Sequence, residues 1–345
     1  MGEDRPKHQP IHEAVRPLLD PEYVAFHDKY LQYVVPDDKK IWDGSARTTA
    51  ASWAPTESTP VQVGAVRDIK PGPGRHFDLR VWTPEVDSSP ASGYPVFLWF
   101  HGGGWAVGSV AAGNDICALI CQRAACVVVS VGYRLAPEHP FPAAFDDAVG
   151  ALRWVRSTEG AQELGNIDNA RIAVGGTSAG AQLAASLSLQ AALLQPPVEI
   201  AFQMLVLPVI DNTATTSTTW ASRANAPWLT PARMLWYRKM YLREESDALR
   251  WEASPNLAPR DLLAKSPRTW IAVAEQDLLV PEAEAYAVQL REAWELSSVE
   301  RADGEVVVSR YEGSTHCTLA FSGILTKGQQ LLQDAANQAA AWFQR

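Results

Sequence analysis

The chain has 345 residues, 47% of them apolar and 20% charged, a balance that supports one large α/β domain or two smaller ones around a real core. Its formal net charge is −9, and no run of lysine and arginine is long enough to follow a phosphate backbone, which argues against a nucleic-acid partner. No apolar run reaches the length of a membrane span, and the hydrophilic start MGEDRPKHQP lacks an apolar leader segment, so a cytoplasmic protein is expected.

In chain order, residues 1–60 read as an N-terminal segment. An amphipathic helical stretch, EYVAFHDKYLQYV, leads into a linker rich in Ser, Thr, Ala and Pro, SARTTAASWAPTESTP. From residue 61 the pattern changes. Short apolar or alternating runs at 61–69, 77–83, 96–100, 127–133, 171–176, 202–209, 269–275 and 306–312 read as eight strands. The first two alternate and lie close together, which predicts an antiparallel pair. The later ones are continuous and β-branched, as strands covered on both faces are. Helical patterns at 111–124, 141–157, 178–194, 281–296 and 328–344 separate or follow them. Such alternation predicts an α/β fold: a mostly parallel eight-stranded sheet with helices on both faces.

Residues 211–258 break the rhythm with a Thr/Ser-rich loop and the helical stretch LTPARMLWYRKMYL. This insertion and residues 1–60 carry Trp42, Trp53, Trp220, Trp228, Trp236 and Trp251. The two segments are expected to form one helical lid over the domain made by the rest of 61–345. Four cysteines, at 117, 121, 126 and 317, make no disulfide framework. Cys117 and Cys121, one helical turn apart, read as small apolar residues on a helix face, and no metal site is expected.

The chemistry is concentrated in RIAVGGTSAGAQLAA. Gly176-Thr177-Ser178-Ala179-Gly180 stands between a short apolar strand and a helix, where a sharp turn holds a serine hydroxyl above the sheet. Glycines two residues to either side are needed because strand and helix approach too closely there for a Cβ. A serine hydroxyl is a poor nucleophile unless a base takes its proton and a carboxylate orients that base. On such a scaffold the chain order is serine, acid, histidine, and His316 is the only histidine downstream of Ser178. The acid is read as Asp277, just past the 269–275 strand, with Glu275, Glu282 and Asp211 as rivals. Three glycines, Gly102, Gly103 and Gly104, follow His101 directly after the 96–100 strand. Acyl transfer passes through an oxyanion that needs bare N–H donors, and Gly103 and Gly104 are assigned that role with Ala179 as the third donor.

These residues resemble the hormone-sensitive-lipase-like family of α/β-hydrolases. The matches are HGGGW at 101–105, YRLAPEHPFPAAFDD at 133–147, GGTSAGA at 175–181, the Asp-Leu-Leu of 277–279, and His316. The resemblance runs from about residue 61 to the C-terminus and places the lid segments where that family has its cap. It implies a serine carboxylesterase acting on a small-molecule ester with a short or medium acyl group, without a cofactor, as a monomer or homodimer. Three departures stand out: Thr177 precedes the serine in place of Asp and Ala181 follows the second glycine in place of Gly, Cys317-Thr318 follows the histidine in place of Gly-Phe, and Val280-Pro281 follows Asp-Leu-Leu in place of Arg-Asp. The tryptophan-rich lid suggests an apolar, aromatic or polycyclic substrate, with Trp105 and Trp228 expected to contact it. An acyltransferase, lyase or cyclase on the same scaffold is the alternative, and a non-catalytic ligand receptor a more distant one.

Overall fold

The eight apolar runs become the eight strands of one sheet. A computed structural model describes residues 5–48, 61–85, 90–296 and 306–343. In it the strands are β1 (Ala65–Ile69), β2 (Asp78–Thr83), β3 (Tyr94–Phe100), β4 (Val127–Gly132), β5 (Ile167–Thr177), β6 (Phe202–Val206), β7 (Arg268–Ala274) and β8 (Val306–Tyr311). Their order across the sheet is β1-β2-β4-β3-β5-β6-β7-β8. The β1–β2 and β2–β4 pairs are antiparallel, and every other neighbouring pair is parallel. β3, YPVFLWF, is buried along its whole length, as a central parallel strand must be when helices cover both faces.

The helices are α1 (Pro21–Lys29), α2 (Asn114–Ala124), α3 (Ala143–Arg156), α4 (Thr158–Leu164), α5 (Ala179–Ala191), α6 (Pro231–Tyr241), α7 (Arg260–Leu263), α8 (Val280–Glu295) and α9 (Thr326–Phe343). Because successive side chains of a strand point to opposite faces, β3 feeds two cores. Leu98 and Phe100 join apolar residues of α3, α5 and α8 on one face. Phe97 and Trp99 join those of α2 and α9 on the other. Burial of these two apolar layers drives the folding of the domain.

The two segments that broke the sequence rhythm touch each other. Arg233 Nη2 donates to Gln9 Oε1 at 2.9 Å, and the rings of Trp42 and Trp236 meet edge to face with centroids 5.8 Å apart. α1 begins at a proline, and Asp20 caps it by accepting from the Glu22 N–H at 2.8 Å. Its Tyr23 and Phe26 pack with Cys317, Phe321 and Leu325, a third apolar cluster beyond the end of β8. The Asp20 N–H donates to Gly313 O (3.0 Å) and the Thr326 N–H to Glu22 Oε2 (2.8 Å), so α1 is clamped to the loop between β8 and α9. Most of the expected linker, residues 49–60 with Trp53, lies outside the described residues.

Candidate active site

β5 runs straight into α5, and Ser178 occupies the corner with φ +55° and ψ −118°. That backbone region is costly for any residue with a Cβ, on the order of 1–3 kcal/mol. Hydrogen bonds hold it in place. The Ser178 N–H donates to Val206 O at 2.9 Å, and Ser178 O accepts from Gln182 N–H (3.1 Å) and Val209 N–H (3.3 Å). The flanking glycines allow the corner to close, because a Cβ on Gly180 would stand 2.0 Å from Phe100 O and one on Gly176 2.4 Å from the Gly180 carbonyl carbon.

His316 comes from the loop after β8 and Asp277 from the turn after β7. The imidazole Nε2 lies 2.9 Å from Ser178 Oγ, and Nδ1 lies 2.7 Å from Asp277 Oδ2. With its proton on Nδ1, donated to the carboxylate, the ring presents Nε2 as an acceptor toward the serine hydroxyl. Asp277 is 1% exposed, and its other oxygen accepts from the Leu279 N–H at 3.2 Å. The Cys317-Thr318 departure is accommodated by a reciprocal pair of bonds. The Thr315 N–H donates to Thr318 Oγ1 (3.1 Å), whose hydroxyl donates to Thr315 O (2.8 Å), and this closes the turn that carries His316.

The rival acids are engaged elsewhere. Glu275 accepts from the Gly313 N–H, and Asp211 from Thr213. Glu282 is buried and accepts from the N–H groups of Ile210 (2.7 Å) and Asp211 (3.2 Å) and from Trp220 Nε1 (2.8 Å); burial pushes its carboxyl up to about 8.

The glycine run forms the loop beside the serine. Gly103 and Gly104 take φ of +114° and +57°, and a Cβ on Gly104 would fall 2.2 Å from the ring of Tyr237 on α6. Among the described residues, the amides of Gly103, Gly104 and Ala179 donate to no other group. His101, at the head of the run, is fully buried and stacks on Tyr133 with centroids 4.3 Å apart; burial lowers its imidazole to about 4, which keeps it neutral. The following YRLAPEHPFPAAFDD segment is locked by Arg134, whose guanidinium grips Asp147 through Nε and Nη2 at 2.8–3.0 Å. Arg47, from the N-terminal segment, donates to Ala106 O (2.8 Å) and Ala136 O (2.7 Å) and ties that segment to both loops.

Ser178, His316, Gly103 and Gly104 line one cavity of about 480 Å³. Trp228, expected at the substrate, lines it too, with the Arg233 guanidinium 4.9 Å from its ring centroid. Trp105 does not, and the expectation that it contacts substrate is corrected. Its backbone at φ +59° turns the indole into the core, where it is fully buried, stacks on Tyr241 at 4.0 Å and donates to Gln182 Oε1. Trp220 is likewise a core residue, and Trp251 packs on Phe145. Trp105, Trp220 and Trp251 therefore serve packing and carry no information about the ligand.

Sequence reading missed the rest of the wall. Arg233, Met234 and Tyr237 line the cavity from α6, and Asp37 from the N-terminal segment. Their spacing of one, three and four residues is the helical signal that placed them on one face. Residues 111–116 also line the cavity, and nothing in their residue types announced it.

A serine held at a strained strand-to-helix corner of an eight-stranded, mostly parallel sheet is the architecture of an α/β-hydrolase. The chain belongs to that family, in its hormone-sensitive-lipase-like branch, since the model of the alpha/beta hydrolase fold matches residues 97–320. An AB hydrolase superfamily protein of Schizosaccharomyces pombe is 38% identical over 97% of both chains. An arylesterase of Saccharolobus solfataricus is 30% identical, covering 84% of this chain and 91% of its own. Among solved structures, a thermostable esterase from Pseudomonas putida ECU1011 superposes with a TM-score of 0.81 at 26% identity, over 95% of this chain and 99% of that one.

Proposed function

We propose that the protein is a serine carboxylesterase that cleaves a small, apolar, short- to medium-acyl ester through an acyl-enzyme. The observation that carries the reading is the unbroken run of hydrogen bonds from Ser178 through His316 to Asp277, opening on a cavity edged by unpaired amides. The esterase names borne by relatives and structural neighbours agree with hydrolysis of carboxylic esters.

His316 Nε2 takes the Ser178 proton as Oγ attacks the ester carbonyl, and the amides of Gly103, Gly104 and Ala179 hold the oxyanion. The imidazolium, stabilised by Asp277, protonates the departing alcohol. Water then enters, loses a proton to His316 and releases the acid from Ser178. Residues 5–48 and 211–258 act together as a cap, with Trp228 as an apolar contact for the substrate. Four buried thiols with no disulfide among the described residues suit a reducing, cytoplasmic setting.

Ser178→Ala should lower kcat on p-nitrophenyl butyrate by a factor on the order of 10⁵ with the fold intact by circular dichroism. Turnover at the wild-type rate would end the proposal. With a competing alcohol present, product mass should show free acid in excess over the transferred ester.

A further inference from the structure

The cavity has a polar corner that the hydrolytic mechanism does not use. Tyr237 and Arg233 reach it from α6 and Asp37 from the N-terminal segment, beside the apolar Trp228, Leu229 and Met234. The Tyr237 ring lies over Gly104, where a Cβ would fall 2.2 Å from it, so the corner adjoins the loop that edges the nucleophile. Tyr237 is only half-buried. Its hydroxyl has no hydrogen-bond partner among the described residues, and it is not sealed off like the unpaired phenols of Tyr241 and Tyr286. Since Tyr237 lines the cavity, that hydroxyl opens onto it. Asp37 and Arg233 stand near enough to act on its ionisation, which places it on the same side.

Burial of the ring pushes the phenol up to about 12, so near neutral pH it keeps its proton and can donate. An all-carbon group seated against it would strip its water and leave the donor unpaired, which disfavours a purely apolar ligand there. The neighbours decide which oxygen takes the place of that water. Asp37 Oδ1 accepts from Lys40 at 2.8 Å, and Arg233 Nε stands 3.6 Å from Asp38 Oδ1. Each charge already has a counter-charge, so an ionic ligand gains little. The second carboxylate oxygen of Asp37 accepts from no other group among the described residues. A group that accepts from a phenol and also donates to a carboxylate is a hydroxyl.

We propose that this corner is a subsite for an ester whose acyl or alcohol part bears a free hydroxyl, which accepts from Tyr237 Oη and donates to Asp37. Tyr237 is thus a specificity-determining residue. The proposal rests on the esterase reading and adds the chemistry of the substrate to it.

The test compares kcat/KM within matched pairs of esters by pH-stat titration, in the wild type and in Tyr237→Phe, which keeps the ring over Gly104 and removes only the hydroxyl. For the acyl side, both enantiomers of ethyl 3-hydroxybutyrate are paired with ethyl 3-methylbutyrate. For the alcohol side, 3-hydroxypropyl butyrate is paired with butyl butyrate. Intrinsic reactivity and the folded fraction both cancel when the ratio within a pair is compared between the two proteins. In at least one pair the hydroxy ester should lose about tenfold of its kcat/KM relative to its partner in Y237F. Equal ratios in both proteins for both pairs would overturn the subsite and leave the esterase reading standing. No hydrolysis of any ester by the wild type would overturn both. Should Y237F fail to fold, Asp37→Ala removes the acceptor of the same corner and is held to the same ratios.

Discussion

Two buried carboxyls illustrate how environment sets what a group can do. Asp277 and Glu282 lie five positions apart, and both were candidates for the acid. Asp277 faces the imidazole. Glu282 accepts from N–H groups of the loop after β6 and from Trp220, with Asp211 and Arg238 near enough to act on its charge. Desolvation raises the Glu282 carboxyl from 4.5 to about 8 in the fold. The folded state therefore holds a proton that the unfolded chain has released, and stability present below about 4.5 is lost as pH rises through about 8. In thermal denaturation followed across that range, Tm of the wild type should fall relative to Tm of Glu282→Gln, which has no proton to lose. Parallel curves would contradict the assignment.

At this scale the sequence was legible where chemistry constrains neighbours. Ser178 needs glycines at 176 and 180, and His316 had no competitor downstream. It was illegible at Trp105, because the direction of that indole depends on a positive φ that the letters HGGGW do not disclose.

The elements that hold the imidazole are drawn from opposite ends of the chain. The His316 turn closes on itself through Thr315 and Thr318, and α1 packs against its far side through Tyr23 and Phe26. The rings of Phe26 and Phe321 meet with centroids 5.1 Å apart. Phe26→Ala removes that support. It should cost about 3 kcal/mol in urea denaturation, the scale for emptying a buried aromatic site. It should also lower kcat roughly tenfold with little change in KM, because a misplaced base slows the chemistry more than binding. A destabilised variant with unaltered kcat, assayed where it is fully folded, would show that α1 is only a stabilising strut.

Strand positions were readable from apolar runs, but some ends were not. β5 starts at Ile167, four residues before its apolar stretch, because Ile167 already pairs with Tyr94 and the polar residues after it form an irregularity before the register resumes at Val96 and Ile172. β6 stops at Val206, although apolar residues continue, because Leu207 takes φ +50° and the chain turns to bond Ser178.

In the whole molecule, two cores flank one sheet, and the sheet delivers three distant residues to its carboxyl edge. Ser178 follows β5, Asp277 follows β7 and His316 follows β8, so the parallel order of β5, β6, β7 and β8 brings them to the same edge. Residues 5–48 and 211–258 contribute Asp37, Trp228, Arg233 and Tyr237 to the cavity above them. Among the described residues no helix is long and apolar enough to cross a membrane. The α/β alternation made this architecture legible. The walls of the cavity were not, since they join segments more than a hundred residues apart whose meeting depends on the finished fold.

In the proposed mechanism Ser178 is activated by His316 and attacks a carbonyl. The most direct test of that step is titration with an organophosphate such as paraoxon, followed by intact and peptide mass spectrometry alongside residual esterase activity. One phosphoryl group per chain is expected, located on Ser178, with activity lost in proportion to labelling and no label on Ser178→Ala. Complete labelling at another residue, or full activity in protein labelled at Ser178, would contradict the mechanism.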